Sequence, residues 1–360
     1  MQSKFDKSKI WGLSVVLMLA WMGLAAGTAL SAEKLAIGTV YPGNMTDNEV
    51  YPALMYFKSL LEEKTGGAYD VEIFPGGQLG SEVEVTRECQ DGTTVQMSIA
   101  SSGAFSSFYK KYQAIVAPFL FPDRFTAWAF FDSDYFADFM NELPAIGLRY
   151  LGTMDDGGGF VVLTNSLRPV NAAADFKGMR VRTEENPAHM AIMNAMGASA
   201  VPMAWGEVPT ALATKTAHAQ FNAPSIISWA KLWETQKYVT FLNHIYNTTT
   251  WVVNEKWFKA QSPQNQQALV EAARAAIIYS RGIAAHLSEL AVEESKKHGM
   301  EFNHIKPENM AELKKLAEGG YRKWAVDEFG LKAELLDSVQ NEVARIQKDL
   351  GDSLMTRYGK

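Results

Sequence analysis

One short segment carries the residue types best suited to hold a charged small molecule: Asp175-Phe176-Lys177-Gly178-Met179-Arg180-Val181-Arg182. Period-two alternation along an extended chain sets Met179 and Val181 on one face and Arg180 and Arg182 on the other. A sheet covered on both faces tolerates an arginine only near a strand end, where a crevice or a counter-ion meets it. Arg182 falls at that carboxyl end, where its planar guanidinium can hold a carboxylate by two parallel hydrogen bonds. The same segment equally allows a structural salt bridge from Arg182 to Glu184 or Glu185. Other chemistry is poorly supplied. The six His residues, at 189, 218, 244, 286, 298 and 304, contain no His-Glu-x-x-His helix and have no Cys cluster beside them, so the common zinc patterns fail. Ser102-Gly103 lacks the Gly-x-Ser-x-Gly elbow of hydrolases. Asp155-Asp156-Gly157-Gly158-Gly159 has neither EF-hand spacing nor a Walker lysine and reads as a flexible connector. The single cysteine, Cys89, lies in an amphipathic stretch and reads as a buried, inert thiol. No catalytic residue, metal or cofactor is expected.

The elements that must position Arg182 alternate strand with helix. Residues 35–40, 69–74 and 95–100 read as strands, with helices expected over 48–64 and after the Ser81-x-x-Glu84 capping box. Such alternation implies right-handed crossovers, a largely parallel sheet and a crevice at the carboxyl ends of the strands. The loops 41–47, 75–81 and 101–107 are therefore the ends to watch. Strands at 148–153 and 160–164, joined through the Asp-Asp-Gly-Gly-Gly loop, suggest a crossing into a second lobe, with strand 179–182 and helices 187–196 and 207–214, and a return near 248–253. Ser262-Pro263 opens a helix that can run to His298, about 50 Å at 1.5 Å per residue and long enough to bridge both lobes. Further helices are expected near 307–317 and 331–350.

The chain begins with Lys4, Lys7 and Lys9, followed by an uncharged apolar run over 10–26 and small residues at Ala29, Ser31 and Ala32. This is the pattern of a secretory signal sequence with cleavage between 29 and 32; the alternative is an uncleaved membrane anchor, since about 17 apolar residues sit at the lower edge of a spanning helix. The formal charge of −6 includes +2 from residues 1–32, leaving −8 on the remainder. An acidic chain with no basic block argues against nucleic acid or an anionic membrane surface as partner. Any anion site must be a local pocket. About 328 residues after cleavage exceed what one core usually serves. The expected division is a signal peptide over 1–32, a first lobe over 33–157 plus 248–286, and a second lobe with the C-terminal helices over 158–247 plus 287–360.

The segments 65–67, 74–82, 118–121, 175–182, 196–203, 207–212 and 234–238 come in an order that resembles the DctP family of substrate-binding proteins from tripartite ATP-independent periplasmic (TRAP) transporters. The resemblance spans roughly residues 34–300. It implies an α/β fold of the two-lobed periplasmic-binding-protein type, with mainly parallel sheets and a long helix bridging both lobes. It further implies a periplasmic monomer that closes on a small organic acid and hands it to small and large membrane subunits driven by an ion gradient. Residue by residue, the arginine of the Gly-x-x-x-Arg strand matches Arg182 and would clamp the ligand carboxylate, and the family asparagine matches Asn222. Two departures stand out. Val161 follows Gly159-Phe160 where many members carry an arginine, and Lys215-Thr216-Ala217-His218-Ala219-Gln220-Phe221-Asn222 replaces the usual Gly-Val-Val-Asp-Gly-Gln-Glu-Asn. One arginine with Phe221, Trp205 and Trp229 suits a monocarboxylate with an apolar or aromatic body. From the first lobe, Tyr41 to Asp47, Gln78 and Ser102 in Ser101-Ser102-Gly103 are the candidate polar contacts. The competing readings are the binding protein of an ATP-driven transporter, a sensory ligand module, or a periplasmic enzyme acting through His218 or Asp155.

Overall fold

A computed structural model describes residues 32–358. Apart from Ala32, the expected signal sequence lies outside the described residues. Two sheets organise the chain. The first holds β1 (Glu33–Gly38), β2 (Tyr69–Phe74), β3 (Met97–Ser101), β4 (Leu148–Phe160) and β10 (Tyr246–Asn254) in the order β2-β1-β3-β10-β4. The second holds β5 (Val162–Asn165), β6 (Arg180–Thr183), β7 (Ser199–Pro202), β8 (Ala219–Asn222), β9 (Tyr238–Phe241) and β11 (Glu301–His304) in the order β11-β9-β5-β8-β6-β7. Both sheets are mixed. β1 runs parallel to β2 and β3, and β6 parallel to β7 and β8, whereas β10 is antiparallel to β3 and β4, and β5 to β8 and β9. β10 is antiparallel to β4 because the chain leaves the first sheet along β4 into β5 and re-enters it along β10 in the opposite direction.

The first crossing corrects the expectation of a loop over 155–159. β4 remains extended through Asp155-Asp156-Gly157-Gly158-Gly159 and meets β5 after Val161 alone, while β10 returns alongside it. Glycine is required in this crossing. Gly158 has φ +105° and Gly159 has φ +87°, and a Cβ would stand 2.5 Å from Ser288 Cβ at the first and 2.4 Å from the Tyr246 ring at the second. Asp155 and Asp156 are buried, so the segment is a packed crossing rather than a flexible tether.

Helix Pro263–Lys297 is the expected bridge. Pro263 begins it behind a Ser262 cap, and it packs on helix Val50–Thr65, on β4 and on helix Pro224–Trp229, elements of both sheets' territories. Its almost buried Arg281 fastens it to the first half, donating to both Asp132 oxygens at 2.7 and 3.0 Å and to the Thr153 carbonyl at 2.8 Å. Each sheet has its own apolar cluster, one around Leu35, Phe57 and Trp251 and another around Val208, Leu212 and Val239. A third runs from Phe105, Tyr112 and Phe130 through Val161 and Val181 to Leu313 and Val339, so the two halves share a core on one side. The C-terminal segment was expected with the second lobe. Helix Pro307–Lys323 does pack on helix Pro187–Ala195, but helix Ala333–Tyr358 returns to helix Arg124–Phe131 of the first half, where Tyr135 and Ser338 share a hydroxyl hydrogen bond of 2.9 Å.

Candidate functional site

The carboxyl ends of the parallel strands face one another across a cleft, as strand-end chemistry in α/β folds requires. A cavity of about 440 Å³ opens there, the size of a small-molecule site. From the first half it is lined by Val40 and Pro42 after β1, by Gly76, Gly77 and Gly80 to Val83 after β2, and by Ala104 after β3. From the second it is lined by Arg182, Glu184 and Glu185 after β6, by Met203 to Gly206 after β7, and by Trp229. A narrower recess continues inward past Tyr41, Ser101, Asp156, Asn222 and Ile226. The turn at 75–80 is pinned to the end of β1, Gly76 N donating to the Tyr41 carbonyl at 2.7 Å and Gly77 N to that of Thr39 at 3.0 Å.

Arg182 sits at the centre, 3% exposed. Its Nε and Nη2 donate to the Met203 carbonyl at 3.2 and 3.0 Å, and its guanidinium lies 5.8 Å from the Trp205 ring centre. This anchoring holds one edge of the fork still; Nη1 makes no hydrogen bond among the described residues. The salt bridge to Glu184 or Glu185 that the sequence allowed does not form. Arg180 points elsewhere: it is exposed and binds the Thr216 and Lys215 carbonyls.

Carboxylates surround the guanidinium. Glu82 accepts from Ser101 N at 2.7 Å and Ser101 Oγ at 3.0 Å, and burial, reinforced by Glu184, pushes its carboxyl up to about 7. Asp156 accepts from Tyr41 Oη and, at 2.6 Å, from Asn247 Nδ2, and burial drives it well above the ordinary carboxylate range. Burial also acts to raise Glu184, but the His189 imidazole, whose Nδ1 lies 3.3 Å from Oε2, and the Arg182 charge outweigh it and hold Glu184 below that range. Behind this group, Glu49 is fully buried, accepts from Gly157 N at 2.8 Å, and is pushed by burial up to about 7.

The expected site residues separate into two groups. Arg182, Trp205 and Asn222 line the cleft together, with Trp229 in edge contact with Trp205 at 5.3 Å. Asn222 donates to Gln220 Oε1 at 2.5 Å and keeps its own Oδ1 unbonded among the described residues. Phe221, Gln78 and Ser102 do not line it. Alternation along β8 turns Phe221 away from Asn222 and into the core between the imidazoles of His189 and His244, at 5.5 and 4.8 Å. Gln78 is an exposed residue of the 75–80 turn, whose N donates to the Pro75 carbonyl. Ser102 is buried and donates to Asn247 Oδ1, leaving its neighbour Ser101 at the cleft. Lys215 and His218 are also absent from the lining; His218 Nδ1 accepts from Arg180 N at 3.2 Å on the outer side. Val161, at the missing second arginine, is fully buried in the shared core. The acids Glu82, Asp156 and Glu184 were not anticipated as site residues. Alternation past Arg182 would have pointed to Glu184, whereas Glu82 looks like an ordinary first-turn acid behind the Ser81 cap.

Comparison with known proteins identifies the family. The model of bacterial extracellular solute-binding protein family 7, DctP, matches residues 43–327. The 2,3-diketo-L-gulonate-binding periplasmic protein YiaO of Escherichia coli K12 is 31% identical over 293 residues, covering 81% of this chain and 88% of the relative. Among solved structures, a TRAP periplasmic solute-binding protein from Bordetella bronchispeptica, with density interpreted as pantoate, superposes with a TM-score of 0.78 at 29% identity over 86% of this chain and 99% of that one. One from Polaromonas sp. JS666 bound to D-erythronate gives 0.78 at 28% identity over 86% and 98%. The ordered motifs, the two-sheet fold and the family match converge: the chain belongs to the DctP family of extracellular solute-binding proteins of TRAP transporters.

Proposed function

We propose that the protein captures a small organic carboxylate in the periplasm, closing its two lobes on it with Arg182 as the clamp, and delivers it to the small and large membrane subunits of a TRAP transporter. Arg182 carries this reading: it is the one cation among the described residues lining the cavity, it is 97% buried, and part of its fork is unbonded. Of the three relatives named above, one is a 2,3-diketo-L-gulonate-binding protein, one was solved bound to D-erythronate and one holds density interpreted as pantoate, all small organic acids. We read the protein as a binder and not an enzyme, in keeping with its family of solute-binding proteins. With Phe221 in the core, the case for an apolar or aromatic ligand body rests on Trp205 and Trp229 alone, while Glu82, Asp156 and Glu184 favour a body that carries hydrogen-bond donors. Lobe closure would then be stabilised by contacts that exist only when both halves meet the ligand. A thermal-shift screen against small organic acids and their uncharged amides tests this. A ligand at a hundred times its Kd stabilises by about 2.7 kcal/mol. Acids that shift the midpoint where their amides do not support the reading; a panel without any shift, or amides as effective as acids, overturns it.

A further inference from the structure

The charges lining the cleft do not balance for a simple anion. Among the described residues, Arg182 is the one cation facing Glu82, Asp156, Glu184 and Glu185. These acids differ in weight. Burial favours the neutral forms of Glu82 and Asp156, and Glu185 stands exposed at the mouth. Glu184, 9% exposed, is the acid held in its ionised form. The charge of Arg182 is thus already opposed by Glu184, two residues further along the same strand end. Arg182 Nη1 keeps its donors and Glu184 both its oxygens without a hydrogen bond among the described residues, Oε2 lying 3.3 Å from His189 Nδ1.

A ligand carboxylate that neutralises the arginine leaves Glu184 as a buried charge faced by the His189 imidazole, Nδ1 3.3 Å from Oε2, and short of the positive charge that Arg182 supplied, a deficit that is costly in a protein interior. The deficit disappears if the ligand supplies the missing cation. The ring faces suit one: Tyr41 and Trp229 stand 6.4 Å apart and Trp229 and Trp205 5.3 Å apart, a run of aromatic surface beside the acids that attracts a cation held over it. We propose that the natural ligand is a zwitterion, an organic acid that carries its own cationic nitrogen, with its carboxylate on Arg182 and its nitrogen between Glu184 and the aromatic run of Tyr41, Trp229 and Trp205. This rests on the carboxylate reading above and narrows it.

Matched probes separate the two. Glycine betaine and carnitine are each compared by calorimetry with the isostere in which a tert-butyl carbon replaces the quaternary nitrogen, and γ-aminobutyrate, D-erythronate and pantoate complete the set. The expected result is that zwitterions bind most tightly, that deleting the positive charge weakens binding about tenfold or more, and that Glu184→Gln narrows that gap. The wild-type comparison decides even if the variant folds poorly. Hydroxy acids binding more tightly than every zwitterion, or isosteres equal to their charged partners, overturn the proposal and leave the carboxylate reading standing. Binding by neither class overturns both.

Discussion

Replacing Glu49 by glutamine is expected to stabilise the protein above neutral pH and to change little at pH 5. The Glu49 side chain is fully buried where helix Val50–Thr65 begins. Among the described residues it receives one hydrogen bond, from Gly157 N in the crossing strand, and its Oε2 has no partner. Burial outweighs that hydrogen bond and lifts the carboxyl from 4.5 to about 7. Between those two values the folded chain retains a proton that the unfolded chain has released, so stability falls as pH rises through the window and the full penalty stands above it. At about 1.36 kcal/mol per pH unit of that gap, the penalty is capped at roughly 3 kcal/mol. Glutamine keeps an oxygen for Gly157 N and carries no charge, so the variant escapes the penalty. Glu82 titrates over the same window and affects both proteins, so the difference between them isolates Glu49. Urea denaturation at pH 5 and pH 8 measures it: the variant should match the wild type at pH 5 and exceed it by up to about 3 kcal/mol at pH 8. A variant that loses as much stability as the wild type between the two pH values would show that the buried carboxyl is not the source.

Gly103→Ala should weaken ligand binding by about tenfold, read by calorimetry, because a Cβ there would lie 1.6 Å from Glu184 Oε2 and must push the second-half acid out of the cleft. Phe221→Ala should cost roughly 3–5 kcal/mol in denaturant unfolding, with affinity in the folded variant nearly unchanged, since the ring packs between His189 and His244 behind the site. Cys89 is fully buried and burial pushes its thiol well up, so a thiol reagent should label it only when the protein is denatured. Labelling of the native protein would show that this helix opens readily.

The sequence reveals the elements whose local rules act alone. The Ser81 and Glu84 capping box forms, with Glu84 N on Ser81 Oγ and Ser81 N on Glu84 Oε2, and Ser262-Pro263 starts the 35-residue helix that bridges the halves. Strand 69–74 and the position of Arg182 at the end of β6 follow from alternation. What stays hidden depends on partners distant in the chain. Asp155-Asp156-Gly157-Gly158-Gly159 carries turn composition, yet the return of β10 beside it supplies a pairing partner and keeps it extended. Phe221 stands next to Asn222 and shares its motif, but adjacent residues of a strand face opposite ways, and the cleft takes only one of them. Ser101 and Ser102 part company for a similar reason: the strand ends between them. The acids of the site are illegible singly, because Glu82 comes from one half and Glu184 from the other, and only the meeting of the two sheets makes them neighbours of one arginine.

The central claim is that Arg182 holds a ligand carboxylate between the lobes. Calorimetry of wild type and Arg182→Ala with the tightest acid from the thermal-shift screen tests it most directly, with circular dichroism to verify that both are folded. Loss of the one cation that lines the cleft among the described residues should weaken binding about a hundredfold, near 3 kcal/mol. A folded Arg182→Ala protein that binds the acid with undiminished affinity would contradict the account.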